Sequence, residues 1–390
     1  MVEDSHISVR IERIWTDGLP SGDGVRMLRL EPVLWLSGLD RRMKPVEGES
    51  LGMKSAKSSW LRLSAAMLIV LAPTLAVAQS CTTQAKLNGL VRSSVADAAL
   101  ALALDVKADS VAKLKSEAIE EYAANFTAAT ALIDHTAAKL GGDTLQVTQV
   151  YLLDARTRKS TDQGDAEFNC PLADSTAETD FAISGLPPGM YAFVMVEATG
   201  NNAWLVSMLL RQDTGHWKLA GLYPHARKAE GHDGLWYWTK AREAAKANQL
   251  WYAWLLYGEA DQLLRPANFV GTTNLDKLHS EQRAATPPEL ADGISAENPL
   301  VLKGANGAQF RLTSVSSEGS EDGSRLNLVL HYVPDASLAG PQAMAQNAAA
   351  VGALLNAHKE LRDGFDSVIV IADVKGQSPF VTEQKIDEIH

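Results

Sequence analysis

The segment LRLSAAMLIVLAPTLAVAQSC, from Leu61 to Cys81, constrains the fold of this chain more than any other stretch. Lysine and arginine precede a short apolar run, Pro73 ends that run, and Ala76-Val77-Ala78 forms a small-x-small cleavage site before Gln79. These are the three parts of a secretory signal peptide. A membrane-spanning helix needs roughly 20 apolar residues, and this run is shorter, so cleavage is favoured over a retained anchor.

The signal pattern begins at Met53, behind residues 1–52, which sustain neither the strand period nor the helix period of apolar residues. We therefore predict that translation starts at Met53 and that residues 1–52 are an untranslated or unstructured extension. The alternative is a genuine cytoplasmic extension. The predicted signal peptide is Met53–Ala78, with cleavage before Gln79. The mature chain is then expected in the periplasm or outside the cell, without a membrane span.

Residues 79–390 are long enough for two or three domains. The whole chain has 36 basic and 47 acidic residues and a formal net charge of −11. Nucleic-acid binding needs a basic face, whereas the lysines and arginines of this chain are dispersed. The composition therefore predicts no nucleic-acid partner.

The chain has two cysteines, Cys81 and Cys170, and both follow the predicted cleavage site. A pair of cysteines in an exported chain predicts one disulfide bond. Two alternatives stay open at this point. Both thiols are free, or Cys81 carries a lipid, although Gln79 fits a lipoprotein site poorly.

Residues 86–226 have the pattern of helices followed by strands. Apolar residues spaced by three or four from Val111 to Leu140 predict one long helix, and a shorter Ala/Leu-rich helix is predicted at Val95–Leu104. Alternating segments predict the strands Leu145–Tyr151, Ala166–Cys170, Asp180–Ile183, Ala192–Glu197, Ala203–Arg211 and His216–Tyr223. Short turns join the last three strands into an antiparallel meander. The order predicts an α+β fold with a long helix on a curved antiparallel sheet.

Helices followed by a sheet that ends in HWKLAGLY, at His216–Tyr223, resemble the NTF2-like or cystatin-like architecture. This resemblance implies a pocket between helix and sheet, which serves catalysis in some members and binding or scaffolding in others. A competing resemblance stays open, because FAISGLPPGMYAF, at Phe181–Phe193, is similar to the strand–turn–strand of prealbumin-like sandwich domains. The long helix that precedes the strands favours the first resemblance.

Four of the nine tryptophans lie in residues 231–285: Trp236, Trp238, Trp251 and Trp254. Helices are predicted here at Leu235–Ala247, Leu250–Leu264 and Asn274–Ala285. The second helix resembles a tetratricopeptide-repeat (TPR) helix, which implies a helical hairpin that packs on its neighbours. The four tryptophans form either a groove for a peptide or protein partner or core packing that joins the flanking domains.

A linker is predicted over residues 286–298 from their proline and glycine content, and a second small α+β domain over residues 299–390. The predicted elements are strands near Phe310–Ser314 and at Leu326–Tyr332, a helix at Gln342–Arg362, a strand at Ser367–Val374 and an edge strand at Phe380-Val381. The order is β-β-α-β, and the nearly continuous apolar run of Ser367–Val374 is suited to a sheet centre.

The sequence contains none of the motifs G-x-x-x-x-G-K-[ST], H-E-x-x-H, G-x-S-x-G and C-x-x-C. The pairs Asp134-His135 and His232-Asp233 are interpreted as solvated polar residues. We therefore predict no catalytic residue, no cofactor and no metal site.

Three short elements, FxIxxLPPGxY, WKLAGLY and GHDGxW, resemble a family of exported bacterial proteins that has no assigned activity. They lie at Phe181–Tyr191, Trp217–Tyr223 and Gly231–Trp236. The resemblance implies export and architecture only. The sequence thus favours a non-catalytic envelope protein that binds or scaffolds a peptide, a protein partner or a small apolar ligand. The alternative is a hydrolase or isomerase that uses an NTF2-like pocket.

Overall fold

The computed structural model describes residues 8–12, 25–33 and 79–389, with short gaps at 163, 174, 201–202, 305–306, 321–322, 335–339 and 375–376. These residues form a mixed α+β structure, as the sequence predicts, with several sheets and eight α-helices. The helices are α1 (Gly89–Lys107), α2 (Val111–Ser116), α3 (Glu120–Ala124), α4 (Thr127–Leu140), α5 (Gly234–Lys246), α6 (Leu250–Leu264), α7 (Thr273–Ala284) and α8 (Pro341–Ala357). Within these ranges, each helix is too short or too polar to cross a membrane.

The strands belong to four sheets. They are β1 (Ser8–Glu12), β2 (Val25–Val33), β3 (Ser80–Thr83), β4 (Thr144–Asp154), β5 (Ala166–Pro171), β6 (Glu178–Ile183), β7 (Met190–Thr199), β8 (Trp204–Asp213), β9 (His216–Ala226), β10 (Lys228–Ala229), β11 (His232–Asp233), β12 (Val270–Thr272), β13 (Leu300–Lys303), β14 (Gln309–Gly319), β15 (Leu326–Val333), β16 (Ser367–Ala372) and β17 (Phe380–Lys385).

The central sheet of residues 80–226 is antiparallel and has the strand order β3-β4-β7-β8-β9. Strands β7, β8 and β9 form the predicted meander. The turn between β8 and β9 consists of Thr214 and Gly215, and both have positive φ angles, 48° and 88°. Two positive φ angles are what a type I′ hairpin turn requires, which explains the glycine at the second position.

Helices α1 and α4 cover one face of this sheet. Val95, Ala99 and Leu102 of α1 are buried in the same apolar cluster as Val194 of β7 and Met208 of β8. The spacing of three and four places the helical residues on one side of α1. Burying a valine, leucine or methionine side chain contributes roughly 1.5–3 kcal/mol. The space between helix and sheet is therefore filled by apolar side chains that stabilise this layer.

The prediction of a single long helix from Val111 to Leu140 is wrong. The structure has the three helices α2, α3 and α4 here, and the long helix on the sheet is α1. The chain leaves the helical path near Ala118, where the Ile119 N–H donates to the Leu219 carbonyl at 2.9 Å. The Leu219 N–H in turn donates to the Glu117 carbonyl at 2.9 Å. These bonds satisfy backbone groups at the edge of β9, and that gain outweighs helix continuity.

The other face of the central sheet is covered by a three-stranded sheet with the order β12-β6-β5. Phe181 of β6 and Phe193 of β7 pack edge-to-face with ring centroids 5.3 Å apart, and Phe269 packs on Phe193 at 5.6 Å. Strand β12 follows the helical hairpin in sequence and pairs with β6. Residues beyond α6 thus complete the cover of the N-terminal sheet.

Helices α5, α6 and α7 share an apolar core with the C-terminal sheet. One cluster includes Trp251 and Leu255 of α6 and Leu328 of β15. Leu290, which lies in the predicted linker 286–298, is buried in the same cluster. The linker segment therefore packs on the core at this point.

The C-terminal sheet has the strand order β1-β2-β17-β16-β15-β14-β13. Strands β15 and β16 are parallel, and α8 connects them as a crossover helix. Every residue of β16 is buried, as predicted for a central strand. Buried Asn347 ties α8 to the sheet, because it accepts a hydrogen bond from the Tyr332 hydroxyl at 2.8 Å and donates one to the Thr382 hydroxyl at 2.9 Å.

Strands β1 and β2 fall within residues 1–52, which the sequence predicts to lie outside the fold. The structure differs from this prediction, because β2 pairs antiparallel with β17 over Val25–Leu28. Strand β17 would otherwise be an edge strand, and an edge recruits further strands through its unpaired backbone groups. The other residues of 1–52 and the predicted signal peptide Met53–Ala78 lie outside the described residues. Translation from Met53 stays a prediction.

Candidate functional site

Cys81 and Cys170 form the predicted disulfide bond. Their Cα atoms are 5.2 Å apart, which lies within the range that such a bond needs. Cys81 belongs to β3, which has only four residues, and Cys170 is buried in β5. The bond therefore fastens the first strand after the predicted cleavage site to the smaller sheet.

Trp238, the first buried tryptophan of the hairpin, contributes to a contact between α5 and α7. Its indole N–H donates to Glu281 Oε2 at 2.8 Å, and Arg242 binds the same carboxylate at 2.6 and 2.8 Å. The Arg242 guanidinium also lies 4.4 Å from the centroid of the Trp238 ring. The hydrogen bond from Arg242 is the main reason that the pKa of Glu281 is lowered. Trp238 and Arg242 of α5 thus hold that helix against α7 through Glu281.

Trp251 and Trp254 of α6 contact each other, with ring centroids 6.4 Å apart. The Trp251 indole N–H donates to Glu289 Oε1 at 2.6 Å, and its ring centroid lies 4.3 Å from that of His358. His358 Nε2 in turn lies 3.7 Å from Glu289 Oε1. Burial lowers the pKa of His358, which favours a neutral imidazole against the indole. This group joins α6 to the chain that follows α8.

Trp236 lies at the start of α5 and is half-buried. The His232 ring stacks on it with centroids 3.8 Å apart, and Lys240 Nζ lies 5.6 Å from its centroid. Its neighbour Leu235 is exposed. The four tryptophans of the predicted groove thus lie in three different environments. The structure brings Trp251 and Trp254 into contact, and all four tryptophans lie in or against the same apolar cluster.

An open cleft of about 400 Å³ lies between α1, the end of α2 and the turn from β8 to β9. It is lined by Ser94, Ala98, Glu117, Gly215, His216, Trp217 and Lys218. Trp217 belongs to the apolar cluster under α1 and is only 8% exposed. Its indole therefore forms a rigid apolar part of the wall.

Two exposed apolar residues, Leu90 and Val91, lie on α1 about one helical turn before the cleft residue Ser94. Leu90, Ser94 and Ala98 are spaced by four residues and therefore lie on one side of the helix. Leu90 is 83% exposed and Val91 is 37% exposed. The Asn88 side chain accepts a hydrogen bond from the Leu90 N–H at 2.9 Å and caps the helix. The cap fixes where α1 begins.

The charged groups at the cleft are partly neutralised. Lys218 Nζ lies 2.8 Å from Asp213 Oδ2, and this contact lowers the pKa of Asp213. Glu117 and His216 are exposed on the wall. The wall therefore combines the apolar side chains of Trp217 and Ala98 with the polar side chains of Ser94, Glu117, His216 and Lys218.

Sequence reasoning missed this cleft, because the helix predicted at Val95–Leu104 omits its first exposed turns. The sequence nevertheless contains one signal for the correct start of this helix. Asn88 followed by Gly89 and Leu90 has the form of a helix N-cap, which would have moved the predicted start of the helix to the observed position.

The two histidine–aspartate pairs singled out in the sequence have local packing or capping roles. His135 packs edge-on against Trp204 at 5.8 Å, while Asp134 is exposed on α4. His232 stacks on Trp236, and the Asp233 carboxylate accepts a hydrogen bond from the backbone N–H at the start of α5. Neither pair lies among the residues that line the cleft.

One other histidine, His331, is oriented by a carboxylate in a way that suits acid–base chemistry. His331 Nδ1 lies 3.0 Å from Asp373 Oδ2, at the carboxyl ends of the parallel strands β15 and β16. A carboxylate at one ring nitrogen orients an imidazole for proton transfer at the other. His225 of β9 is different, since burial lowers its pKa to about 4. Its Nε2 and the Oγ of Ser207 have no hydrogen-bond partner among the described residues.

No set of three or more His, Cys, Asp or Glu in the described part of the chain is placed to hold a metal ion. Models of known protein families, curated proteins and solved structures give no match to this chain. The chemistry of the cleft is therefore interpreted from its own residues.

Proposed function

We propose that the chain is an exported envelope protein that binds a peptide, a protein partner or a small apolar ligand without catalysis. The cleft beside Trp217, with exposed Leu90 and Val91 about one helical turn away, carries this proposal. Exposed apolar side chains near a concave surface are typical of binding sites. The filled layer between α1 and the sheet gives the cleft a rigid base.

We further propose that residues 86–226 are an NTF2-like domain, residues 231–285 a TPR-like hairpin, and residues 299–390 a second α+β domain after a linker at 286–298. Helices α1 and α4 on one face of an antiparallel sheet support the NTF2-like assignment. The three-stranded sheet on the other face is a feature of the prealbumin-like alternative. The assignment therefore depends on the helical face.

The disulfide bond supports export, because such bonds persist in oxidising compartments. The position of β3 is also consistent with cleavage before Gln79, since the first residue of that strand, Ser80, pairs with Asp154. Terminal mass mapping of the protein from its host tests the proposal. A mature terminus at Gln79 supports export, and peptides from residues 1–52 contradict the predicted start.

The binding proposal is tested with the neutral apolar dye Nile red, whose fluorescence reports binding. Ala98→Trp fills the cleft and should weaken dye binding by roughly tenfold or more, which corresponds to about 1.4 kcal/mol. Ala101→Trp places the same side chain on an exposed position of α1 outside the cleft and serves as the matched control. Equal binding by both variants and the wild type contradicts the proposal.

The alternative, a hydrolase or isomerase, is favoured by one observation. The wall of the cleft brings together the ionisable side chains of Glu117, His216 and Lys218. Turnover of a small ester that is lost in both Glu117→Gln and His216→Gln, with dye binding retained, would favour this alternative over a non-catalytic role.

A further inference from the structure

Glu259 lies on the side of α6 that faces β14 of the C-terminal sheet, and its side chain is only 2% exposed. Leu255, Leu256 and Leu263 of the same helix are buried in the apolar cluster that α6 shares with the sheet. A carboxyl group is thus enclosed in an otherwise apolar contact between two layers of the protein. Buried carboxylates are costly unless they are paired.

The hydrogen bonds around Glu259 leave its carboxyl group incompletely satisfied. Ser317 of β14 is its hydrogen-bonding partner, but the Ser317 hydroxyl donates its single hydrogen to the Leu255 carbonyl at 3.2 Å. Where the hydroxyl turns to Glu259 instead, that hydrogen bond lowers the pKa of the carboxyl group, against the larger effect of burial. The second carboxyl oxygen, Oε2, has no hydrogen-bond partner among the described residues.

The ionisable groups near Glu259 on β14 and α5 also oppose its ionisation. Glu318, the next residue on β14, is a like charge. From α5, Tyr237 presents a phenol whose pKa is raised, first by burial and then by the charges of Glu259, Glu230 and Asp366. Glu318 and the neutral phenol of Tyr237 therefore offer no positive charge to an ionised Glu259.

The other elements packed on α6 supply no compensating charge. On α7, His279 binds Asp261 at 2.8 Å, and Glu281 is held by an arginine of α5. The turn at Lys359–Leu361 adds an exposed lysine and Glu360. In the described part of the chain, no lysine, arginine or histidine forms an ion pair with Glu259.

Burial raises the pKa of Glu259 to about 7, and Glu318 adds to the rise. In a state in which α6 and β14 separate and water enters, the same group returns toward its usual pKa of 4.5. Between these two pH values the closed contact holds a proton that the open contact releases.

We propose that the contact between α6 and β14 is a pH-dependent latch, which is closed while Glu259 is uncharged and loosens as the group ionises. By linkage, the open-to-closed ratio should rise about tenfold per pH unit between about pH 5 and 6.5 and level off above about pH 7. The latch rests on these two elements and is independent of what the cleft binds.

Hydrogen exchange measured by mass spectrometry tests the latch. Exchange rates of peptides from α6 and β14 are divided by those of β7 and β8 at the same pH, which removes the intrinsic pH dependence of amide exchange. In the wild type this ratio of exchange rates should rise about tenfold per pH unit between about pH 5 and 6.5. Glu259→Gln cannot ionise, so its ratio should stay flat.

Glu120→Gln, an exposed carboxylate at the start of α3, is the matched control and should behave as the wild type. A flat ratio in the wild type, or an equal rise in Glu259→Gln, overturns the proposal. Glu318→Gln gives a second test if Glu259→Gln does not fold. Removing this like charge should move the pH at which the ratio levels off to a lower value, and an unchanged pH overturns the proposal.

Discussion

Replacing Cys81 and Cys170 by alanine should lower the free energy of unfolding by about 4–5 kcal/mol, from loop-closure entropy alone. The magnitude follows from the structure, because the bond joins residues 89 positions apart. The loss should appear first at β3, which has four residues and pairs with one neighbouring strand, β4. Without the bond, little else holds this strand in place.

Guanidinium unfolding followed by tryptophan fluorescence measures the effect. The oxidised wild type is compared with the double alanine variant and with the wild type under reductant. The reduced wild type keeps both sulfur atoms, so it separates the lost cross-link from lost packing at buried Cys170. The slope of unfolding free energy against denaturant should rise in both cases, because the open denatured chain exposes more surface.

A loss below about 1 kcal/mol in the reduced wild type would refute the loop-closure reasoning. The single variant Cys81→Ala adds a check, since removing either partner opens the same loop. Its stability should match that of the reduced wild type. A single variant as stable as the oxidised wild type would likewise contradict the reasoning.

Two further predictions concern the side chains of Arg158 and His358. Arg158 is buried and donates hydrogen bonds to four backbone carbonyls. In thermal unfolding, Arg158→Met should lower the free energy of unfolding by about 2–4 kcal/mol, because these carbonyls lose their hydrogen-bond donor. The exposed control Arg156→Met should cost less than about 1 kcal/mol, and equal losses would contradict the reasoning. The pKa of His358 is lowered from 6.5 by burial. The folded state then binds fewer protons than the unfolded state, so stability should fall as pH drops below about 6.5. His358→Gln should remove that part of the pH dependence, and identical pH profiles of the two proteins would exclude it.

The sequence by itself determined the elements whose cause is local. Alternation predicted the strands of the meander, because successive side chains of a strand face opposite sides. The apolar spacing and the break near Asn248 predicted α5 and α6 with bounds close to those observed. The disulfide was also predictable, since a chain with two cysteines offers one pairing. The cleft was not predicted from the sequence, although the helix N-cap at Asn88 indicates the exposed turn that borders it.

Tertiary structure decided what depends on partners distant in sequence. The apolar spacing of Val111–Leu140 is helical throughout, yet the chain breaks where Ile119 pairs with Leu219, one hundred positions away. Trp238 and Trp251 differ from Trp236 because carboxylates from later segments accept their indole hydrogens. Glu259 occupies an ordinary helical position in the sequence and becomes a buried acid only when β14 covers it. In each case the local sequence pattern determines the direction in which a side chain or backbone group points. The partner of that group comes from a distant segment, which the packing of helices and sheets brings close. No short stretch of sequence contains both.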